Sequence, residues 1–207
     1  GGHAAFAAAD MRARYARDVR IAGIIGYGPS TDIPALFREF PMVAPMAIYS
    51  YSRGYGTEGC DPELILAPRW AKTLEKDVTR QCVGGMQSYY PASARELFRK
   101  EFADALFKGT LGEEFPSIHG VLQENSTGLS GHRVPALILE GSDDIVVSPA
   151  SQEAFARALC RAGSLVTYSL YKGRRHDTRQ VGFAEAREWM DRITRGERPG
   201  SNCGDLR

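Results

Sequence analysis

Two apolar runs separated by one helical stretch constrain this chain most. Residues 135–140, Pro-Ala-Leu-Ile-Leu-Glu, are a short apolar run of strand length. Residues 165–171, Leu-Val-Thr-Tyr-Ser-Leu-Tyr, are a second, rich in the residue types that strands favour. Between them, residues 149–162 read as a helix. Ser148 is a good N-cap, Pro149 suits the first turn, and Gly163 is a good stop. Strand, helix, strand is the unit that builds a parallel pair, and it brings the loops after both strands to one edge of the sheet. The first loop is acidic, Gly141-Ser142-Asp143-Asp144. The second, Lys172-Gly173-Arg174-Arg175-His176, carries a histidine. The expected fold class is therefore α/β.

The rest of the chain falls around this unit. Residues 3–17 are alanine-rich with few breakers and read as a helix, and residues 19–26 read as a short buried strand. A loop follows at residues 28–32. Residues 33–40 read as a helix with Asp32 as N-cap and Pro34 in its first turn. From residue 41 to 131 the pattern changes to frequent Met, Tyr, Phe and Leu broken by glycine and proline, with helices but no convincing strand. The expected organisation is a partial α/β core over residues 1–40, a mostly helical cap or lid insertion over 41–131, and a second core segment over 132–207. A final helix spans about 179–195, and the tail after it is polar.

Composition excludes several classes. The formal net charge of 207 residues is +1, and basic residues do not cluster, which argues against a nucleic-acid partner. The longest apolar stretch, near residues 41–51, is broken by proline and far short of the ~20 residues that cross a bilayer, so no transmembrane segment is expected. Four cysteines, Cys60, Cys82, Cys160 and Cys203, lack C-x-x-C spacing, so no metal site is expected. They fit either two disulfides or four thiols. Cys160 ends a predicted helix, and Cys203 is the one residue of the polar tail with a reason to be buried. A Cys160–Cys203 disulfide is the expected pairing, while Cys60 and Cys82 stay unassigned.

The chemistry sits in the two loops. Asp144, three residues past Gly141, is placed to hold the imidazole of His176 in one tautomer, with Asp143 as the neighbouring rival. His176 would act as general base and then as general acid. His3, His119 and His132 lack this context. Gly1 and Gly2, followed by a run of alanines, are small residues of the kind that let a helix pack closely against its strand.

Together these motifs resemble the secretory lipase family of α/β-hydrolases, which includes fungal lipase A-type enzymes and bacterial relatives. The family's nucleophile elbow reads G-x-S-Q-G-G-H-A-A, and Gly1-Gly2-His3-Ala4-Ala5 is similar to its second half. The turn from Gly141 to Val147, the Tyr171-Lys172-Gly173…His176 strand end, the Trp189-containing final helix and the late Cys203 extend the resemblance along the chain. It implies a carboxylester hydrolase working by a Ser-Asp-His triad on small ester or lipid substrates, without a cofactor. Secretion or a periplasmic location, a lid, and transient contact with a lipid interface are also implied. The nucleophile serine falls two positions before Gly1, outside this chain, so the chain alone is expected to be inactive. Two alternatives remain. One is another α/β-hydrolase, either a peptidase of the prolyl oligopeptidase type or an acyltransferase. The other is a catalytically inactive fragment.

Overall fold

The computed structural model describes residues 1–206. They form two compact units, one of residues 1–31 with 127 to the C-terminus, the other of residues 32–126. The first unit holds a three-stranded parallel sheet in the order β1 (Ile24–Tyr27), β2 (Ala136–Gly141), β3 (Val166–Tyr171). Ile24 pairs with Ala136, and Ala136 with Val166, so β1, β2 and β3 run in register toward one edge.

The central strand β2 is buried at every position. Its alternate side chains serve two cores. Ala136 and Ile138 pack with Phe6 and Ala9 of the Gly2–Tyr15 helix and with Phe155, Ala156 and Leu159 of the Pro149–Arg161 helix. Leu137 and Leu139 pack on the other face with Ala186 and Trp189 of the Arg179–Thr194 helix. Helices thus cover both sides, which is why β2 reads as a continuous apolar run rather than an alternating one. Phe6 and Phe155 meet edge to face, with centroids 5.1 Å apart.

The expected β1 strand is shorter and later than residues 19–26. Val19 is exposed, and pairing begins only where Ile24 meets Ala136. Apolar content marked the region, but a partner strand decides which residues are strand. The N-caps behave as expected: Asp32 accepts from the Ala35 amide at 2.9 Å and Ser148 from the Ser151 amide at 3.2 Å.

The unit of residues 32–126 is helical, with one isolated antiparallel bridge, Leu66 to Phe98. It enters after β1 and returns before β2. Its bounds lie at 32 and 126 rather than at 41 and 131, because the Ile33–Glu39 helix buries Ile33 and Phe37 in that unit's own core. Phe37, Phe98, Phe102 and Phe115 form a chain of ring contacts with centroids 5.3–5.8 Å apart. Asp77 is buried there, accepting from Thr73 Oγ1 at 2.6 Å and Tyr90 Oη at 3.2 Å. Among the described residues no helix is long and apolar enough to cross a membrane.

The polar tail is held more firmly than its composition indicates. Asn202 lines the outer edge of β3: its amide donates to Val166 O at 2.9 Å, its side chain accepts from Tyr168 N at 2.9 Å and donates to Tyr168 O at 2.8 Å. An edge strand that would otherwise present open backbone groups is thereby closed. Next to it, Cys203 is disulfide-bonded to Cys160, 43 residues away. Cys60 is a buried free thiol and Cys82 an exposed one. Replacing Cys203 by Ser is expected to cost about 3–4 kcal/mol in the chain-entropy account of a loop this long. Urea unfolding of the variant against the oxidised parent checks this, and a change below ~1 kcal/mol would mean that the Asn202 contacts alone hold the tail.

Candidate active site

The loops after β2 and β3 are laced together. The Ser142 amide donates to Tyr171 O at 3.0 Å, the Asp143 amide to Arg174 O at 2.8 Å, and the Gly173 amide to Ser142 Oγ at 2.8 Å. Gly141 makes this crossing feasible: a Cβ there would collide with the carbonyl oxygens of Arg174 and Arg175. Thr178, fully buried, pins the histidine loop from below, its hydroxyl donating to Leu139 O at 3.0 Å and its amide to His176 O at 3.2 Å.

This lacing brings His176 onto Asp144. Nδ1 of His176 lies 2.8 Å from Oδ2 of Asp144. The Asp144 side chain is fully buried, whereas 42% of the His176 side chain is exposed. The pair therefore has one dry end and one wet end. Oδ1 of Asp144 accepts the amides of Val146 at 2.7 Å and Val147 at 3.1 Å. Burial by itself would raise the Asp144 carboxyl. Hydrogen bonds from His176, Glu140, Val147 and Val146 outweigh it and hold the group below the usual carboxylate range. Asp144 is thus an anion with Nδ1–H of His176 directed at it, and Nε2 is left as the ring's proton-accepting nitrogen. Asp143, the rival, is exposed and accepts instead from Ser142 Oγ at 2.7 Å.

Three further residues belong to this site and were not singled out from sequence. Gly28 follows β1 at φ 49°, where a Cβ would lie 2.9 Å from His176 Nδ1 and 3.1 Å from Asp144 Oδ2. β1 thus contributes a glycine that leaves room for the pair. Its signal in the sequence is the Tyr27-Gly28-Pro29 strand end. Thr178 is the second. The third is Glu140, the last acid of an otherwise apolar strand, completely buried, accepting the Gly141 amide at 3.0 Å.

The start of the chain lies close by. Gly1 and Gly2 line a cavity of about 490 Å³ together with His176, Asp177, Arg179, Ile25 and Tyr27. A Cβ on Gly2 would lie 2.7 Å from Pro29 Cβ, so the Gly2–Tyr15 helix starts hard against the loop after β1. Nδ1 of His3 lies 2.8 Å from Ser30 O, and the buried Gln152 side chain donates to Pro29 O, which fixes that loop from two helices. His3 is thus a tie between helix and loop. His132 receives the Val134 amide at 2.9 Å within its own turn, and His119 lies in the Pro116–Glu124 helix of the other unit.

No family model and no curated protein matches this sequence. Solved structures do match in fold. The rice cell wall degrading esterase LipA from Xanthomonas oryzae is 15% identical with a TM-score of 0.68, covering 93% of this chain and 54% of its own. A putative hydrolase from Legionella pneumophila is 15% identical at a TM-score of 0.67, covering 96% and 55%. Candida antarctica lipase A in its closed state is 20% identical at a TM-score of 0.68, covering 99% and 49%. The chain has the α/β-hydrolase fold of these lipase and esterase structures, and it spans about half the length of each.

Gly28→Ala tests the packing of the pair. A φ penalty and a collision with both partners act together, so a loss of about 1–3 kcal/mol in urea unfolding is expected, with displaced His176 ring resonances in NMR. Gly173→Ala is the control. It carries a similar φ of 70° but meets nothing within 4 Å, so it should cost less and leave the His176 resonances in place.

Proposed function

We propose that this chain belongs to a carboxylester hydrolase of the secretory lipase kind, acting on acylglycerols or related esters. Asp144 is the acid and His176 the base of its Ser-Asp-His triad. One observation carries the reading. The half-exposed imidazole of His176, held from behind by the buried Asp144 carboxylate, lines a single cavity with the Gly1-Gly2 start of the first helix. In the elbow pattern G-x-S-Q-G-G-H-A-A, the serine stands two residues ahead of the position occupied by Gly1. A nucleophile carried there would open onto the cavity that His176 lines.

Each group then has a role. Asp144 holds Nδ1–H and stabilises the imidazolium, but keeps its own charge. Nε2 of His176 takes the serine proton as the hydroxyl attacks the ester carbonyl, and returns it to the leaving alkoxide. A water molecule deprotonated by the same nitrogen then releases the acid. The Cys160–Cys203 disulfide fits an oxidising compartment, in line with secretion or a periplasmic location.

The test uses p-nitrophenyl esters. The 207-residue chain alone should show no turnover above background. In protein that carries the elbow serine ahead of Gly1, Asp144→Asn and His176→Ala should each lower kcat by on the order of 10⁴-fold or more, as loss of triad members does. Asp143→Asn should leave it within a few-fold. Turnover by the 207-residue chain that His176→Ala abolishes would place the nucleophile within it and overturn this assignment.

We propose further that the helical unit of residues 32–126 is the cap that supplies the apolar wall for the acyl chain. Supporting this, it is inserted between β1 and β2, and it keeps Met42, Met46, Tyr49 and Tyr51 only partly buried on its own core. Each methylene buried is worth about 0.8 kcal/mol, so long-chain esters need such a surface. Met46→Trp should shift preference between short and long p-nitrophenyl esters by several-fold in kcat/KM. A substitution that changes stability and leaves that profile untouched would make the unit structural only.

A further inference from the structure

Glu140 is an unusual residue for its place. It sits on the face of β2 that carries Ala136 and Ile138 into the apolar core, and it has no exposed surface. Its Oε1 accepts the Gly141 amide, but its Oε2 is buried and receives no hydrogen bond from any donor among the described residues. Nor is it paired with any lysine or arginine there. An isolated carboxylate in such a place would be very costly, and the usual resolution is that the group neutralises. The Asp144 carboxylate lies close enough for the two acids to act on each other's protonation. Two carboxylates can share a hydrogen bond only if one proton lies between them.

The proton can be placed. Both oxygens of Asp144 already receive N–H donors, from His176 on one side and from Val146 and Val147 on the other. Glu140 has one amide. The oxygen lacking a donor is Oε2 of Glu140, and it is the atom that a proton would satisfy.

We propose that Glu140 is a positioning residue for the Asp144–His176 pair, carrying a proton at neutral pH and donating it as an O–H hydrogen bond to the Asp144 carboxylate. The inference rests on the triad reading for its consequence, since Asp144 is what faces the base. The acid–acid contact concerns this chain whatever it hydrolyses. Burial first, and then the hydrogen bond and charge of Asp144, push the Glu140 carboxyl well above the usual range, against a smaller pull from the Gly141 amide. The other titratable groups around it do not reverse this. Tyr168 of β3, whose hydroxyl is pushed up by burial, stays uncharged beside it, and Glu153 of the Pro149–Arg161 helix is paired with Arg157 at 3.1 Å. The result is one negative charge opposite His176 instead of two. The donated hydrogen bond also makes Asp144 less basic, which favours a proton that stays on the imidazole rather than crossing to the carboxylate.

Carbon-13 carboxyl NMR on the purified 207-residue chain tests this directly. One glutamate carboxyl, missing in Glu140→Gln, should titrate above pH 7. A Glu140 carboxyl that titrates in the ordinary range of about 4–5 overturns the proposal. Two variants separate donor from charge. Glutamine keeps a neutral N–H donor, so the low-field Nδ1 proton resonance of His176 should stay near its parent position. Leucine removes the donor, so that resonance should move. Equal displacement in both variants would show that Glu140 acts by charge and end the idea.

Stability adds a sign. The folded chain keeps a proton that the unfolded chain releases above its ordinary value near 4.5. The margin of the parent over Glu140→Gln should therefore shrink as pH rises above that value. A margin that grows with pH contradicts a neutral Glu140. The two readings fail separately. A high Glu140 titration in a protein that never hydrolyses esters defeats only the proposed function. An ordinary one in an active hydrolase defeats only this inference.

Discussion

The buried central strand is the constraint on which the first unit depends. β2 has no exposed residue, so its backbone groups must be met by β1 on one side and β3 on the other, and its side chains by helices above and below. Leu137, Ile138 and Leu139 together contribute several kcal/mol at about 1.5–3 kcal/mol each. A one-residue slip of β2 would exchange its two faces and place Glu140 in the Leu137–Leu139 core. Register, helix placement and the direction in which β2 ends all follow from this one strand.

Where β2 ends, apolar packing gives way to charge. Within five residues the chain passes from Leu139, wholly buried, to Glu140, Gly141 and Asp144, all buried and two of them acidic. Asp144 has the amides of Val146 and Val147 and the imidazole of His176, whereas Glu140 has the Gly141 amide at one oxygen alone. The glycines mark where backbone, rather than side chain, must occupy the space. Gly141 admits the histidine loop, and Gly28 admits the pair itself. The site is thus assembled from the ends of all three strands, as expected for a parallel sheet whose loops share one edge.

The helical unit of residues 32–126 has its own core, and its aromatics serve that core first. Phe98 and Phe102 are wholly enclosed by it, while Phe107 lies on the surface with Arg95 over its ring at 5.0 Å. An aromatic-rich insertion therefore does not by itself define a ligand wall. Only residues left partly uncovered, such as Met46, remain available for contact with another surface. The tail shows the opposite case. Asn202 closes the edge of β3 by imitating a backbone, and the disulfide fastens it there.

Some of this was legible from residues alone. The strand–helix–strand unit at residues 135–171, its caps, the adjacency of an acidic loop to a histidine loop, and the Cys160–Cys203 pair follow from local pattern. Periodicity, capping and chain order act over a few residues and survive without knowledge of the partner. Other features required the tertiary structure. The true extent of β1 depended on where β2 lies beside it. That Asp144 turns inward to His176 while its neighbour Asp143 stays exposed depends on how the two loops are laced. Gly28 and Thr178 gained their meaning only when three strand ends met. Glu140 reads as an ordinary acid at a strand end, and its burial beside a second carboxylate is decided by residues far away in sequence. Local chemistry determined which elements form. Packing among distant segments decided which of their polar groups lose water, and with that loss came the charge states on which the proposed chemistry rests.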